Sequence, residues 1–183
     1  MKPLDRTLQR VRINKITPYI RPRARVLDIG CADGALFERV TDARVYVGID
    51  PEAPSSPLAG NVRFIQAIFP TPLLASDEQF DVIAALAVLE HVPACDQAVF
   101  AHACARHTAL GGLLAISVPS PIVDRILRVL KSARLLDGMC EEQHYGFAPQ
   151  QTPSIFGPHG FQLLSHRRFE LGLNHLFVLQ RTA

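Results

Sequence analysis

The residues of this chain that could do chemistry are spaced like parts of a ligand cradle. The segment Val26-Leu27-Asp28-Ile29-Gly30-Cys31-Ala32-Asp33-Gly34 closes an apolar run with two glycines four positions apart. Gly30 lets the backbone turn sharply, and Gly34 lets the following segment pack close to a bound molecule. Asp50 closes a second apolar run 20 positions after Gly30. A carboxylate there can accept hydrogen bonds from ribose hydroxyls. Taken singly, the glycines could form a plain tight turn and Asp50 could cap the turn before Pro51. Their joint spacing favours a nucleoside ligand.

Two details choose among nucleoside cofactors. The run Gly30-Cys31-Ala32-Asp33-Gly34 lacks the Gly-x-Gly-x-x-Gly spacing of a dinucleotide site. Asp28, two residues before Gly30, would repel a pyrophosphate but suits a cationic amino group. S-adenosylmethionine offers that cation and carries no phosphate.

These groups need elements that bring them to one edge. Arg25–Ile29, Val45–Ile49, Val62–Gln66, the start of Phe80–Leu89, and Gly112–Val118 read as strands. Gly34–Thr41, Asp96–His107 and Pro121–Leu136 read as helices, the last with an apolar and a basic side. Phe161–Phe169 and Asn174–Arg181 read as a closing hairpin about Leu171-Gly172-Leu173. Pro51–Gly60, with three prolines, predicts a loop or a single helical turn where a crossover is expected. The alternation predicts an α/β fold: a doubly wound, mostly parallel, seven-stranded sheet with an antiparallel terminal strand.

At 183 residues, about half of them apolar, the chain fits one domain with a sizeable core. The formal net charge of +2 argues against a dedicated nucleic-acid binder. Eight of the lysines and arginines fall within Met1–Arg25 beside one acid, Asp5. Residues 1–24 are thus a basic segment, either a solvated helix face or a surface for an anionic partner. Cys31, Cys95, Cys104 and Cys140 make no Cys-x-x-Cys pair, so reduced thiols and a cytoplasmic location are expected. The N-terminus lacks an apolar signal core, and Val82–Leu89 is too short to span a bilayer. A monomer or homodimer is expected.

The segments VLDIGCADGALFERV, VYVGIDPEA, VRFIQ, QFDVIAALAVLEHV and GGLLAISVPSP resemble the class I, Rossmann-like methyltransferases, in the group of small-molecule enzymes and MetW-like proteins. The resemblance runs from about Arg25 to Pro121 and continues more weakly in GFQLLSHRRFELGLNHLFVLQR. It implies strand order 3-2-1-4-5-7-6 and S-adenosyl-L-methionine as cofactor. It places Asp28, Gly30 and Gly34 at the methionine end, with Cys31 and Ala32 between them, and Asp50 beside Pro51 at the ribose. Gln66, Ala67 and Ile68 would flank adenine, and Ala87 and Val88 would line the sulfonium side. The sequence departs from the pattern twice. Ala32 replaces a frequent glycine, at small cost if its φ is negative. No acid stands near Ile68, so Gln66 or a backbone carbonyl must accept from the adenine amino group.

The implied reaction is methyl transfer to an O or N atom of a small metabolite, an anionic one fitting the basic segment. Glu90 and His91 follow the fourth strand, and His91 has a pKa range suited to a general base. The other role for His91 is to cap a turn at the cofactor's edge. His144, with Glu141 and Glu142, lies in a stretch (138–160) expected to cover the acceptor site, or else is part of a solvated loop. Some related enzymes carry a Glu-x-x-Glu-His metal motif here. Ala87 replaces its first acid, and no metal is expected. His159, His166 and His175 are expected to be structural, and His102 and His107 outward-facing. Two other functions fit the same residues: a cofactor- or partner-binding protein with little turnover, and an RNA methyltransferase.

Overall fold

The computed structural model describes residues 3–55, 60–120 and 147–183. Its strands are β1 (Arg25–Ile29), β2 (Val45–Ile49), β3 (Val62–Ile65), β4 (Phe80–Leu86), β5 (Thr108–Pro119), β6 (Phe161–Phe169) and β7 (Asn174–Arg181). They form one sheet in the order β3-β2-β1-β4-β5-β7-β6. β1 to β5 run parallel, and β7 lies antiparallel to both β5 and β6. The expected sheet and order are therefore observed.

Strands β1 and β2 bury four of their five residues because both faces of the sheet are covered. Side chains alternate between the faces. Leu27, Ile29, Val47, Ile49, Ile83 and Ile116 meet Phe100 and Cys104 of helix α2 (Gln97–His107) and Phe156 of helix α3 (Thr152–Phe156). On the other face, Val26, Tyr46, Ala84 and Val178 pack with Leu36, Val40, and Ile13 and Ile16 of helix α1 (Pro3–Ile16). The basic N-terminal segment is thus an amphipathic helix, with Arg6, Arg10 and Lys15 exposed. Among the described residues no helix is long and apolar enough to cross a membrane.

Several expectations about local structure change. Gly34–Thr41 is not an α-helix: it is a series of tight turns with one 3-10 turn at Phe37–Arg39. Val40 leaves helical geometry at φ −125°, ψ 41°, which ends the 3-10 turn there. Leu36 and Val40 nevertheless bury as a helix would bury them. The described part of Pro51–Gly60 is a turn and bend, as predicted. Strand β5 begins at Thr108, four residues before Gly112, and pairs with Phe80 across a register shift. His107 is buried, not outward-facing, with its Nδ1 2.8 Å from the Glu78 carbonyl oxygen. Pro121–Leu136 lies outside the described residues. Of the expected cover at 138–160, residues 147–160 are described. β6 runs parallel to β5, so the chain entering it must arrive at the sheet's amino edge. Accordingly Phe156 packs on Phe100, and the His159 ring lies 6.0 Å from that of His102.

Candidate active site

The carboxyl ends of β1, β2 and β4 meet where the strand order reverses, the place where such sheets bind ligands. Gly30 (φ 74°) and Gly34 (φ 79°) occupy left-handed backbone that favours glycine. A Cβ on Gly30 would lie 2.4 Å from Val88 Cγ2, so its absence lets the β1 and β4 loops touch. Ala32 has φ 45°, contrary to the negative angle the sequence reading required for a low cost. The strain is held by a specific bond: the Ala32 N–H donates to Asp50 Oδ2 at 3.1 Å. The Glu52 N–H donates to Asp50 Oδ1 at 2.7 Å. Asp50 therefore ties the glycine loop to the end of β2. An ionised carboxylate offers about four acceptor positions, so these two bonds leave room for a vicinal diol. Beside it Pro51 is exposed and Cys31 buried. Burial, with Asp28 and Asp50 nearby, pushes the Cys31 thiol well above its usual range, which makes it a packing group and not a nucleophile.

Asp28 is buried in the middle of this arrangement. The Tyr46 hydroxyl donates to its Oδ2 at 2.6 Å. Burial pushes the Asp28 carboxyl up to about 7, the Tyr46 bond opposes that, and the Asp50 charge adds to it. The Tyr46 hydroxyl is itself raised well above its ordinary value by burial and by Asp28. Tyr46 is not among the residues that the sequence singles out. The available signal was register: Val26 pairs with Tyr46 and Asp28 with Gly48, so two-residue alternation puts Tyr46 and Asp28 on one face.

At the β3 end, Gln66 Nε2 donates to the Ala53 carbonyl at 2.8 Å, which leaves Gln66 Oε1 as an acceptor. Ala67 is half-buried and Ile68 is 77% exposed. At the β4 end, Ala87 (φ 58°) donates its N–H to the Ser117 carbonyl at 2.9 Å and to Ser117 Oγ at 3.1 Å. Val88 is half-buried. The 3-10 turn Leu89–His91 then separates the two catalytic candidates: Glu90 is buried and His91 exposed. His144, Glu141 and Glu142 lie outside the described residues. Among the described residues no group of three or more His, Cys, Asp or Glu is placed to hold a metal. His166 Nε2 and His175 Nδ1 are 2.9 Å apart, with the His166 ring stacked on Phe177. Both imidazoles are held below their ordinary pKa, first by burial, in keeping with a structural pair.

A doubly wound sheet in this order, with a glycine loop after β1 and a carboxylate closing β2, has the architecture of the class I, S-adenosylmethionine-dependent methyltransferases. The family model described as "Methyltransferase domain" matches residues 4–166, and the chain belongs to that family. It is 33% identical over 126 residues to a ubiquinone biosynthesis O-methyltransferase of Serratia proteamaculans, covering 61% of this chain and 49% of that protein. The chain thus spans about half the length of the curated relatives it matches. Among solved structures it resembles the N-methyltransferase NodS of Bradyrhizobium japonicum, with TM-score 0.68 and 14% identity over 100% of this chain and 98% of that one. It also resembles the 1,6-didemethyltoxoflavin-N1-methyltransferase of Burkholderia thailandensis, with TM-score 0.69 and 19% identity over 95% and 78% of the two chains.

Proposed function

We propose that this chain transfers the methyl group of S-adenosylmethionine to an O or N atom of a small molecule. The observation that carries the reading is the Asp50 carboxylate, fixed by two backbone N–H groups at the switch point with acceptor capacity to spare. The other donors and acceptors fit the same cofactor. Gln66 Oε1 suits the adenine amino group, and the buried Asp28 suits an ammonium. Bound there, the cofactor supplies an electrophilic methyl group, and the protein's task is alignment plus removal of a proton. Gly30, Cys31, Ala32 and Gly34 shape the methionine end, Pro51 borders the ribose, Ala67 and Ile68 flank the adenine, and Ala87 and Val88 line the sulfonium side.

His91, exposed on the 3-10 turn that follows β4, would take up the proton of the acceptor's O–H or N–H. Glu90, on the same turn, is buried. The related O-methyltransferase named above makes an oxygen nucleophile the first to try. An anionic acceptor fits the basic helix α1, which is tied to the glycine loop by Gln9 Nε2 donating to Asp33 Oδ1 at 3.0 Å. The test is incubation with S-adenosylmethionine carrying a deuterated methyl group and a small-metabolite extract, followed by mass spectrometry. A labelled product that needs the protein is expected. Cofactor binding with no labelled product from any extract would favour a binding protein over an enzyme.

A further inference from the structure

We propose that Tyr46 is a positioning residue of the cofactor site, holding the Asp28 carboxyl so that an arriving ammonium group ionises it and cofactor binding releases a proton. The inference rests on the cofactor reading above and concerns how that site takes its ligand. Tyr46 and Asp28 project from neighbouring strands onto one face of the sheet, and their 2.6 Å bond is buried. The hydroxyl thus fixes Oδ2 and, among the described residues, leaves the acceptor positions of Oδ1 to no other side chain.

Among the described residues the surroundings pair no counter-charge with Asp28. Val26, Leu36, Val40, Ile13 and Ile16 make this face apolar. Around Asp28 stand Tyr46 of β2, Asp50 just past the end of that strand, and the thiol of Cys31 in the glycine loop. From α1, the half-buried Arg12 donates to neither Asp28 oxygen. Among the described residues no cation is paired with Asp28, so desolvation keeps the carboxyl protonated up to about pH 7. A cationic amino group brought to Oδ1 supplies the missing charge. The carboxyl O–H bond then breaks, its electron pair stays on oxygen, and the proton passes to solvent. Tyr46 donates throughout and favours the ionised form.

The test is calorimetric titration with S-adenosylhomocysteine, which carries the same ammonium group, at pH 7 in buffers of different ionisation enthalpy. Wild type is expected to release roughly half a proton, and Asp28→Asn none. Tyr46→Phe should move the pH midpoint of affinity alkaline by about one pH unit, the tenfold cost of one hydrogen bond to a charged group. A residue that only packs would lower Tm and leave that midpoint unmoved. A measurement on unaltered protein stands beside the variants: the carboxyl carbon of Asp28, followed by NMR, should titrate near neutrality without ligand and be ionised at pH 6 with it. Equal proton release by wild type and Asp28→Asn, or an unmoved midpoint in Tyr46→Phe, overturns the inference while leaving the cofactor reading intact. Failure of S-adenosylhomocysteine to bind at any pH overturns both.

Discussion

Replacing Asp28 by Asn should make the protein more stable at neutral pH, and the size of the gain follows from burial. The carboxyl is displaced from 3.8 to about 7 because ionisation must occur away from water. Between those values the unfolded chain has lost the proton and the folded chain has kept it. Unfolding is therefore increasingly favoured as pH rises from about 4 to 7. Below that window both states are protonated and the penalty vanishes; above it both are ionised and the penalty is constant. At about 1.4 kcal/mol per pH unit the full displacement is worth on the order of 4 kcal/mol. Asparagine keeps the shape and still accepts from Tyr46, but it cannot ionise. The assay is urea unfolding of wild type and Asp28→Asn at half-unit steps from pH 4 to 8, without ligand. The two curves should nearly coincide at pH 4 and separate to about 4 kcal/mol by pH 7.5, with a Tm difference of roughly 10 °C. A difference independent of pH would refute the reasoning, because it would mean that Asp28 titrates alike in the folded and the unfolded chain.

Two further predictions concern the loops at the sheet's carboxyl edge. Ala32→Gly should stabilise the free protein by about 1 kcal/mol, since alanine at φ 45° carries a strain that glycine does not; unchanged or lower stability in thermal unfolding would count against that strain. Once an acceptor is known, His91→Ala should lower kcat by on the order of 10²–10⁴ and leave cofactor affinity nearly unchanged. His91→Asn should not rescue it, because an amide cannot take up a proton; near-normal turnover in both variants would make His91 a capping residue.

The sheet was legible because its information is local. Val45–Ile49 and Phe161–Phe169 are apolar or alternating runs bounded by Gly, Pro and polar turns, and both strands form where the pattern puts them. The place of Asp50 just past β2 was legible too, since its distance from Gly30 is set by one strand–crossover–strand unit. What escaped depended on neighbours distant in sequence. The left-handed Ala32 is held by Asp50, 18 residues away, and nothing in its own segment encodes that bond. Tyr46 looks like any core aromatic until the register with β1 sets it beside Asp28. His107 lies in a helix pattern that gave no sign of the Glu78 carbonyl waiting for its ring. Glu90 and His91 are adjacent in sequence, and only the 3-10 turn reveals that one points inward and the other outward.

The central claim, that the edge formed by β1, β2 and β4 binds S-adenosylmethionine through Asp50, is tested most directly by calorimetry with S-adenosylhomocysteine on wild type and Asp50→Ala. The account predicts saturable one-site binding to wild type. It predicts a loss of roughly 10- to 100-fold in affinity for the variant, the cost of removing charge-assisted hydrogen bonds to a ribose, with the fold retained. Equal affinity in the two proteins, or no binding to wild type, would contradict it.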